Sequence, residues 1–390
     1  MTILVTGADG YIGWPTALRI AAQTDDRVLL VDNFGRREWV EEVGSKSATP
    51  VASIDERLDA AEETLGITNM SFVEGDLVDR SFVDELLSVH EPDVVVHAAA
   101  QPSAPYSQIN GERANYTQHN NLQATRNLLW GLEEHDLTDT HFIETTTTGV
   151  YGAPEFPIPE GGATMENDGE RDDVPFPAMA GSWYHLTKSH DAANMRLAHK
   201  QFDIPISDVR TAIVYGTETE ETRGDHRLKT RFDFDYYFGT VTHRFCAQAV
   251  AGYPVTVYGK GEQRKPFVSL EDAVEGLAQL ALGDPDDRPE GLTVYNQVTR
   301  AISIVEIAET IADVGAEFEL DVAVEHFENP RDEDETHKME IEKERYVELI
   351  DGQDQTFEEG VEDIFETLTR HAGTIEAHED RFLPGVLADE

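Results

Sequence analysis

The first half of the chain alternates short, wholly apolar runs with amphipathic stretches. Ile3-Leu4-Val5, Arg27-Val28-Leu29-Leu30-Val31 and Asp93-Val94-Val95-Val96-His97 lack the polar alternation of a half-exposed strand. They read instead as strands buried on both faces. Ser71-Phe72-Val73 and His141-Phe142-Ile143, which runs into the threonines at 145–148, add two more. Between them, Gly13 to Ala22, Ser81 to Ser88 and Tyr116 to Leu132 carry helical spacing. Strands separated by helices predict an α/β fold: a doubly wound parallel Rossmann sheet with ligands at the carboxyl ends of its strands. The rhythm then breaks. Segments 153–180 and 217–235 are rich in Pro, Gly, Asp and Glu and read as long loops, which in a compact enzyme are often functional. Thr240 to Ala251 reads as a helix and Val255 to Tyr258 as a strand. Residues 1–208 are expected to form the Rossmann domain. Residues 209–390 are expected to form mainly a smaller mixed α/β substrate-binding domain, some segments of which return to the sheet.

The loop after the first strand is Gly7-Ala8-Asp9-Gly10-Tyr11-Ile12-Gly13, and it opens directly into a helix. Glycines at this spacing let the backbone turn sharply and approach a pyrophosphate at the positive end of that helix. Asp32 ends the second strand, where a carboxylate can hold ribose hydroxyls and repel a 2′-phosphate, so NAD is the expected cofactor. The neighbouring Asn33, Arg36 and Arg37 lie on the same rim, and arginine there tempers the preference against a 2′-phosphate. Asp76 and Leu77 follow the third strand, where an acid suits the adenine amino group. Ala98 and Ala99 follow the fourth, where small residues permit close approach of a cofactor, and Asn120 sits inside the next helix, where asparagine is locally unfavourable.

Tyr184 and Lys188 are four residues apart, which on a helix places phenol and ammonium on one face. A nearby cation stabilises phenolate, so the pair is expected to lower the tyrosine pKa and make Tyr184 a base for a sugar hydroxyl. The threonine run ends a parallel strand, where active sites form, and Thr147 is the hydroxyl expected to share a proton with Tyr184.

Composition changes the picture at one point. There are 77 acidic residues against 30 basic ones, a net charge of −47, spread along the whole chain. Such self-repulsion weakens a compact state at ordinary ionic strength. At molar salt the Debye length shrinks to about 3 Å and the repulsion is screened. The surface therefore reads as adapted to a salty cytoplasm, as in a halophile. A nucleic-acid partner is disfavoured because no basic patch is present. No run approaches the roughly 18 apolar residues of a membrane span, and the first residues enter a strand without a basic leader, so a cytoplasmic enzyme is expected. The single cysteine, Cys246, is expected to be a buried apolar residue, and no metal site is read.

With these residues in place, the chain resembles the extended short-chain dehydrogenase/reductase superfamily and, within it, is similar to the UDP-sulfoquinovose synthase family. The resemblance runs from the first glycine loop to beyond residue 337. Its most specific segments are Ser103-Ala104-Pro105-Tyr106-Ser107 and Tyr116-Thr117-Gln118-His119-Asn120-Asn121. Tyr184-His185 with His190-Asp191, and Asn329-Pro330-Arg331, belong to the same pattern. The resemblance implies conversion of UDP-glucose and sulfite to UDP-6-sulfoquinovose through 4-keto intermediates, with NAD regenerated in each turnover. It implies Tyr184 as base, Lys188 on the nicotinamide ribose and Thr147 on the C4 oxygen. It further implies substrate contacts from Gln101, Tyr106, His185, the Arg264-Lys265 pair and Arg331, and a homodimer. Three positions depart from the family's pattern. Val150 stands where an acid is usual, Pro102 where a basic residue is usual, and Arg264-Lys265 where a single arginine precedes the late strand. The first two bear on elimination and sulfite handling. The Val150-Tyr151-Gly152 ending also resembles UDP-hexose 4-epimerases. A 4,6-dehydratase fits less well, because Thr148 and Gly149 stand where that chemistry pairs an Asp and a Glu. A non-catalytic NAD-binding sensor has no need of a Thr147, Tyr184 and Lys188 set.

Overall fold

A computed structural model describes residues 1–176, 179–284, 291–328, 339–351 and 355–384. Seven parallel strands form the central sheet. In chain order they are β1 (Thr2–Thr6), β2 (Arg27–Asp32), β3 (Met70–Glu74), β4 (Val94–His97) and β5 (His141–Thr147), followed later by Ile206–Thr211 and Leu292–Gln297. The chain winds outward from β1 in both directions: β2 and β3 lie on one side, β4 and β5 on the other. The crevice where direction reverses, at the carboxyl ends of β1 and β4, is where a doubly wound sheet binds ligands.

Burial explains why the strands read as continuous apolar runs. Ile3 and Val5 of β1 pack against Trp14, Leu18 and Ile20, while Leu4 between them packs on the other face with Leu128, Phe142 and Met195. Both faces are covered, so no position of β1 has reason to be polar. Polar caps then set where helices begin. Asn110 accepts from the Arg113 N–H (2.9 Å) to start helix Gly111–Glu134. Ser182 accepts from the His185 N–H (3.0 Å) to start helix Trp183–Phe202. These two helices pack along each other.

Segment 153–180 is more ordered than its composition suggests. It contains an antiparallel hairpin, β6 (Gly162–Asn167) and β7 (Glu170–Pro175). Its faces are mostly exposed, so no apolar alternation marks it. The signal lies in the turn, where Asp168 and Gly169 both have positive φ (52° and 83°), as a two-residue hairpin loop requires. Segment 217–235 contains two short 3₁₀ turns, Glu220–Thr222 and His226–Leu228.

The strand Ile206–Thr211, called β8, runs past residue 208 and is followed by β9 (Ile213–Tyr215). Thereafter come β10 (Val255–Tyr258), β11 (Arg264–Ser269), β12 (Leu292–Gln297), β13 (Arg300–Ser303) and β14 (Val324–Phe327). β12 pairs with β8 at the edge of the central sheet, while β13-β11-β9 and β10-β14 form two small sheets. Around the small sheets lies a separate core that includes Phe232, Phe245, Phe267, Ile307 and Phe365, with Cys246 fully buried inside it. Helices Ile304–Glu317 and Phe357–Leu368 close this core.

Candidate active site

A single cavity of about 1040 Å³ runs from the glycine loop, past the carboxyl ends of β1, β4 and β5, to the small sheets. It lies at the upper end of the roughly 300–1,000 Å³ usual for ligand pockets. Gly7, Gly10, Tyr11, Ile12, Gly13, Asp32, Asn33, Arg36, Asp76, Leu77, Ala98, Ala99 and Asn120 all line one part of it. Thr147, Tyr184, His185, Lys188 and Lys265 line it too.

The glycine loop has no room for side chains. Gly7 has φ +72°, and a Cβ there would stand 2.7 Å from the Ala98 carbonyl carbon. One on Gly13 would collide with the Gly7 carbonyl oxygen. Asp32 is held by backbone donors: the Asp9 N–H to Oδ2 (2.8 Å) and the Phe34 N–H to Oδ1 (2.7 Å). Burial pushes its pKa up to about 6, against those two donors. Asp9 itself is buried and carries two guanidinium groups, Arg37 (2.6 and 2.7 Å) and Arg57 (3.3 Å). Arg36 lines the cavity but is bound to Asp233 (2.7 and 3.0 Å), which Arg231 also holds. Asn121 staples its helix to the loop after β4 and to helix Trp183–Phe202 by bonding the Gln101 backbone and Thr187, and Asn120 beside it lines the cavity.

The proton-transfer end is equally constrained. Thr147 Oγ1 accepts from the Gly149 N–H (3.1 Å), which leaves its own proton to be donated. His185 lies against Gly149, where any Cβ would meet its ring at 2.4 Å to 3.0 Å from several atoms, and its ring centroid is 5.3 Å from that of Tyr184. Burial raises the Tyr184 pKa and Lys188 opposes it, while Asp191 and Glu144 behind the lysine push it up again. The net direction is upward, opposite to the expectation from the Tyr-Lys spacing, because desolvation and the two acids outweigh the ammonium.

Three expected substrate contacts lie elsewhere. Tyr106 is fully buried, with its hydroxyl on Glu42 (2.7 Å) and its ring against Phe238. Gln101 is buried, pinned by Asn121 and accepting from Thr117 (3.2 Å). Arg264 pairs with Glu306 (2.9 Å) and the Ala301 carbonyl. Each is occupied in holding elements together and does not line the cavity. Arg331 lies outside the described residues. Pro102 lines the cavity, whereas Val150 is buried in an apolar cluster with Tyr151, Ile158, Phe176 and Met339.

Other lining residues escaped the sequence reading, among them Trp39, Tyr236, His243, Arg244 and Gln263. His243 and Arg244 are both buried on helix Val241–Val250. Two basic residues in an otherwise apolar and small-residue helix were the available signal. Burial brings His243 down to about 4, so it is neutral at ordinary pH.

The model of the NAD dependent epimerase/dehydratase family matches residues 3–296. UDP-sulfoquinovose synthase of Sulfolobus acidocaldarius is 40% identical over 339 residues, 86% of this chain and 84% of that protein. The chain belongs to the UDP-sulfoquinovose synthase branch of this family. The chloroplastic UDP-sulfoquinovose synthase of Spinacia oleracea is 39% identical over 347 residues, 89% of this chain and 71% of that protein. Among solved structures, UDP-glucuronic acid 4-epimerase from Bacillus cereus, in complex with UDP-glucuronic acid and NAD, superposes with a TM-score of 0.70 at 22% identity. It covers 95% of this chain and 99% of its own, and at that identity it shows the fold of the family.

Proposed function

We propose that this enzyme converts UDP-glucose and sulfite to UDP-6-sulfoquinovose and water, using NAD that it regenerates. The observation that carries the reading is that the glycine loop and the Thr147, Tyr184 and Lys188 side chains open into one continuous cavity. Bound there, NAD would supply the reversible oxidation of sugar C4. Gly7, Gly10 and Gly13 would take its pyrophosphate, and the Asp32 carboxylate its ribose hydroxyls. Arg36 and Arg37 already carry carboxylates, which supports NAD over a 2′-phosphorylated cofactor.

Tyr184 takes the proton from the C4 hydroxyl as Thr147 donates to the same oxygen, and gives it back at the end. Lys188 would hold the nicotinamide ribose. Between these steps the C4 carbonyl acidifies the C5 proton, water leaves across C5–C6, and sulfite adds at C6. His185 faces the sugar from its seat on Gly149. Lys265 and Arg244 suit the diphosphate, a guanidinium through paired hydrogen bonds; Arg331 is kept as a further anchor. Mass spectrometry of the product formed with and without sulfite tests this: the product gains a sulfonate only when sulfite or a sulfite donor is supplied. A UDP-hexose 4-epimerase is the second reading, supported by Val150 and Pro102. UDP-galactose formed at a good rate, with sulfite never incorporated, selects it.

Residues 1–208 serve as the cofactor half and 209–390 mainly as the sugar half in this reading. Among the described residues no helix is long and apolar enough to cross a membrane. A cytoplasmic homodimer fits, with the exposed Trp130 and Leu197 on the two packed helices supporting a self-association face.

A further inference from the structure

Behind Lys188 lies a cluster that the proton transfer just described does not use. Glu144, on β5, and Asp191, one turn beyond Lys188 on its helix, are both 0% exposed, and Lys188 is 2% exposed. Lys188 Nζ is 3.1 Å from Glu144 Oε1 and 3.8 Å from Asp191 Oδ2. The two carboxyl groups also act on each other directly. Two buried acids thus face one ammonium. Among the described residues, no second cation from the surrounding elements lies within ion-pair distance of either acid. On β8, Asp208 is engaged by Arg210 (3.0 Å). On β4, burial takes His97 down to about 3, so it is neutral. From helix Gly111–Glu134 comes a hydroxyl, Thr125, 3.5 Å from Glu144 Oε1. On the Lys188 helix itself the remaining group is the Tyr184 phenol.

The hydrogen bonds are short by one donor as well. Glu144 Oε2 and both Asp191 oxygens make no well-formed hydrogen bond, although all three atoms are shielded from solvent, and among the described residues the single Thr125 proton is the one hydroxyl donor beside both carboxyls. A buried acceptor left this way is costly, and a second unbalanced charge costs more. Both deficits have one remedy, because a proton between the carboxyls is a donor and also removes one charge.

We infer that Glu144 and Asp191 share a single proton and act together as a positioning pair that presents one negative charge to Lys188. The inference rests on the proposed roles of Lys188 and Tyr184. Burial would lower the Lys188 pKa, and the two acids more than offset it, so the ammonium persists. Lysine charge opposes the rise in the Tyr184 pKa, and the pair sustains that charge while its own field pushes the phenol up. With one proton in the pair, removing either carboxyl leaves Lys188 its counter-ion, and removing both does not.

Two measurements on the NAD-bound enzyme test this. Infrared spectra at pH 8 are expected to contain a carbonyl band from an un-ionised carboxyl that is lost in Glu144→Gln and equally in Asp191→Asn, with nothing further lost in the double variant. In single-turnover oxidation of UDP-glucose, each single variant is expected to lower kcat/KM by less than about fivefold and the double by more than about a hundredfold. A wild-type spectrum with no band that these substitutions remove, or a double variant no worse than the singles, overturns the pair. The band is read without sugar or sulfite, so it is independent of the sulfonate assay. A failed sulfonate assay with the band intact removes the sulfite chemistry and leaves the pair standing.

Discussion

The two ends of the cavity are built by different means. The cofactor end is made of backbone: three glycines that admit no Cβ, and a carboxylate at a strand end fixed by two N–H groups. The sugar end is made of side chains from distant segments, with Thr147 from β5, Tyr184 and His185 from a helix 37 positions on, and Arg244 and Lys265 from the second core. The first is intolerant of any added atom. The second depends on the chemistry of the side chains delivered to it. Substitutions at the two ends should therefore fail differently.

The sharpest break is Tyr184→Phe. The ring keeps its packing and the proton-transfer hydroxyl is gone, so turnover should fall roughly 10²–10⁴-fold while NAD and UDP-sugar binding persist. Wild-type rates would remove Tyr184 from the mechanism. Gly13→Ala should do the reverse. Its Cβ meets a backbone oxygen that cannot swing aside, so NAD should be lost on purification, and with it activity, even though Thr147, Tyr184 and Lys188 are untouched. Retained NAD at wild-type occupancy, measured by absorbance of the denatured supernatant, would show that the loop yields.

Arg244→Ala should weaken UDP-glucose binding by about 1.5–3 kcal/mol, the scale of a hydrogen bond to a charged group, with the NAD content unchanged. An isothermal titration showing equal affinity would reassign Arg244 to packing. A smaller effect follows from Asp32. Its pKa is raised to about 6 in the folded protein, so its protonated form stabilises the fold at low pH and that contribution is lost as pH rises through 6. Ribose hydroxyls donate to the ionised form. NAD affinity should therefore decline as pH falls below about 6, and an Asp32→Asn variant should lack that limb. Broadest and gentlest is the effect of salt. With a charge of −47, the melting temperature should rise steadily with KCl up to molar concentrations, and a flat curve would reject the saline reading of the surface.

The same contrast explains what was legible in the sequence. The cofactor end follows from local rules, since glycine spacing, an acid at a strand end and small residues after β4 each have a reason within a few positions. All of those residues line the cavity. The sugar end depends on which side chains the second core delivers, and no local rule reports that. Tyr106 and Gln101 sit in distinctive segments, yet the Tyr106 hydroxyl is spent on Glu42 and Gln101 Oε1 on Thr117, and neither residue lines the cavity. His243 and Arg244 sit in an ordinary-looking helix and reach the cavity. The hairpin β6–β7 is the intermediate case. Its exposed strands carry no periodicity, and the segment read as a loop; the one local signal was Asp168-Gly169 at the turn. The direction of the Tyr184 shift required tertiary structure outright, because the acids that reverse the effect of Lys188 come from β5 and from one turn further along the helix.

Asp9 ties these threads to the working life of the enzyme. It sits inside the glycine loop, its N–H braces Asp32, and its carboxylate is gripped by Arg37 and Arg57, so the loop is riveted to two other segments of the chain. A loop fastened in this way has little freedom to swing open between catalytic cycles. The coenzyme then behaves as a fitted part rather than a travelling co-substrate. The ratio of oxidised to reduced nicotinamide in the surroundings would be consulted once, at loading, and each later turnover would run on a private electron pair.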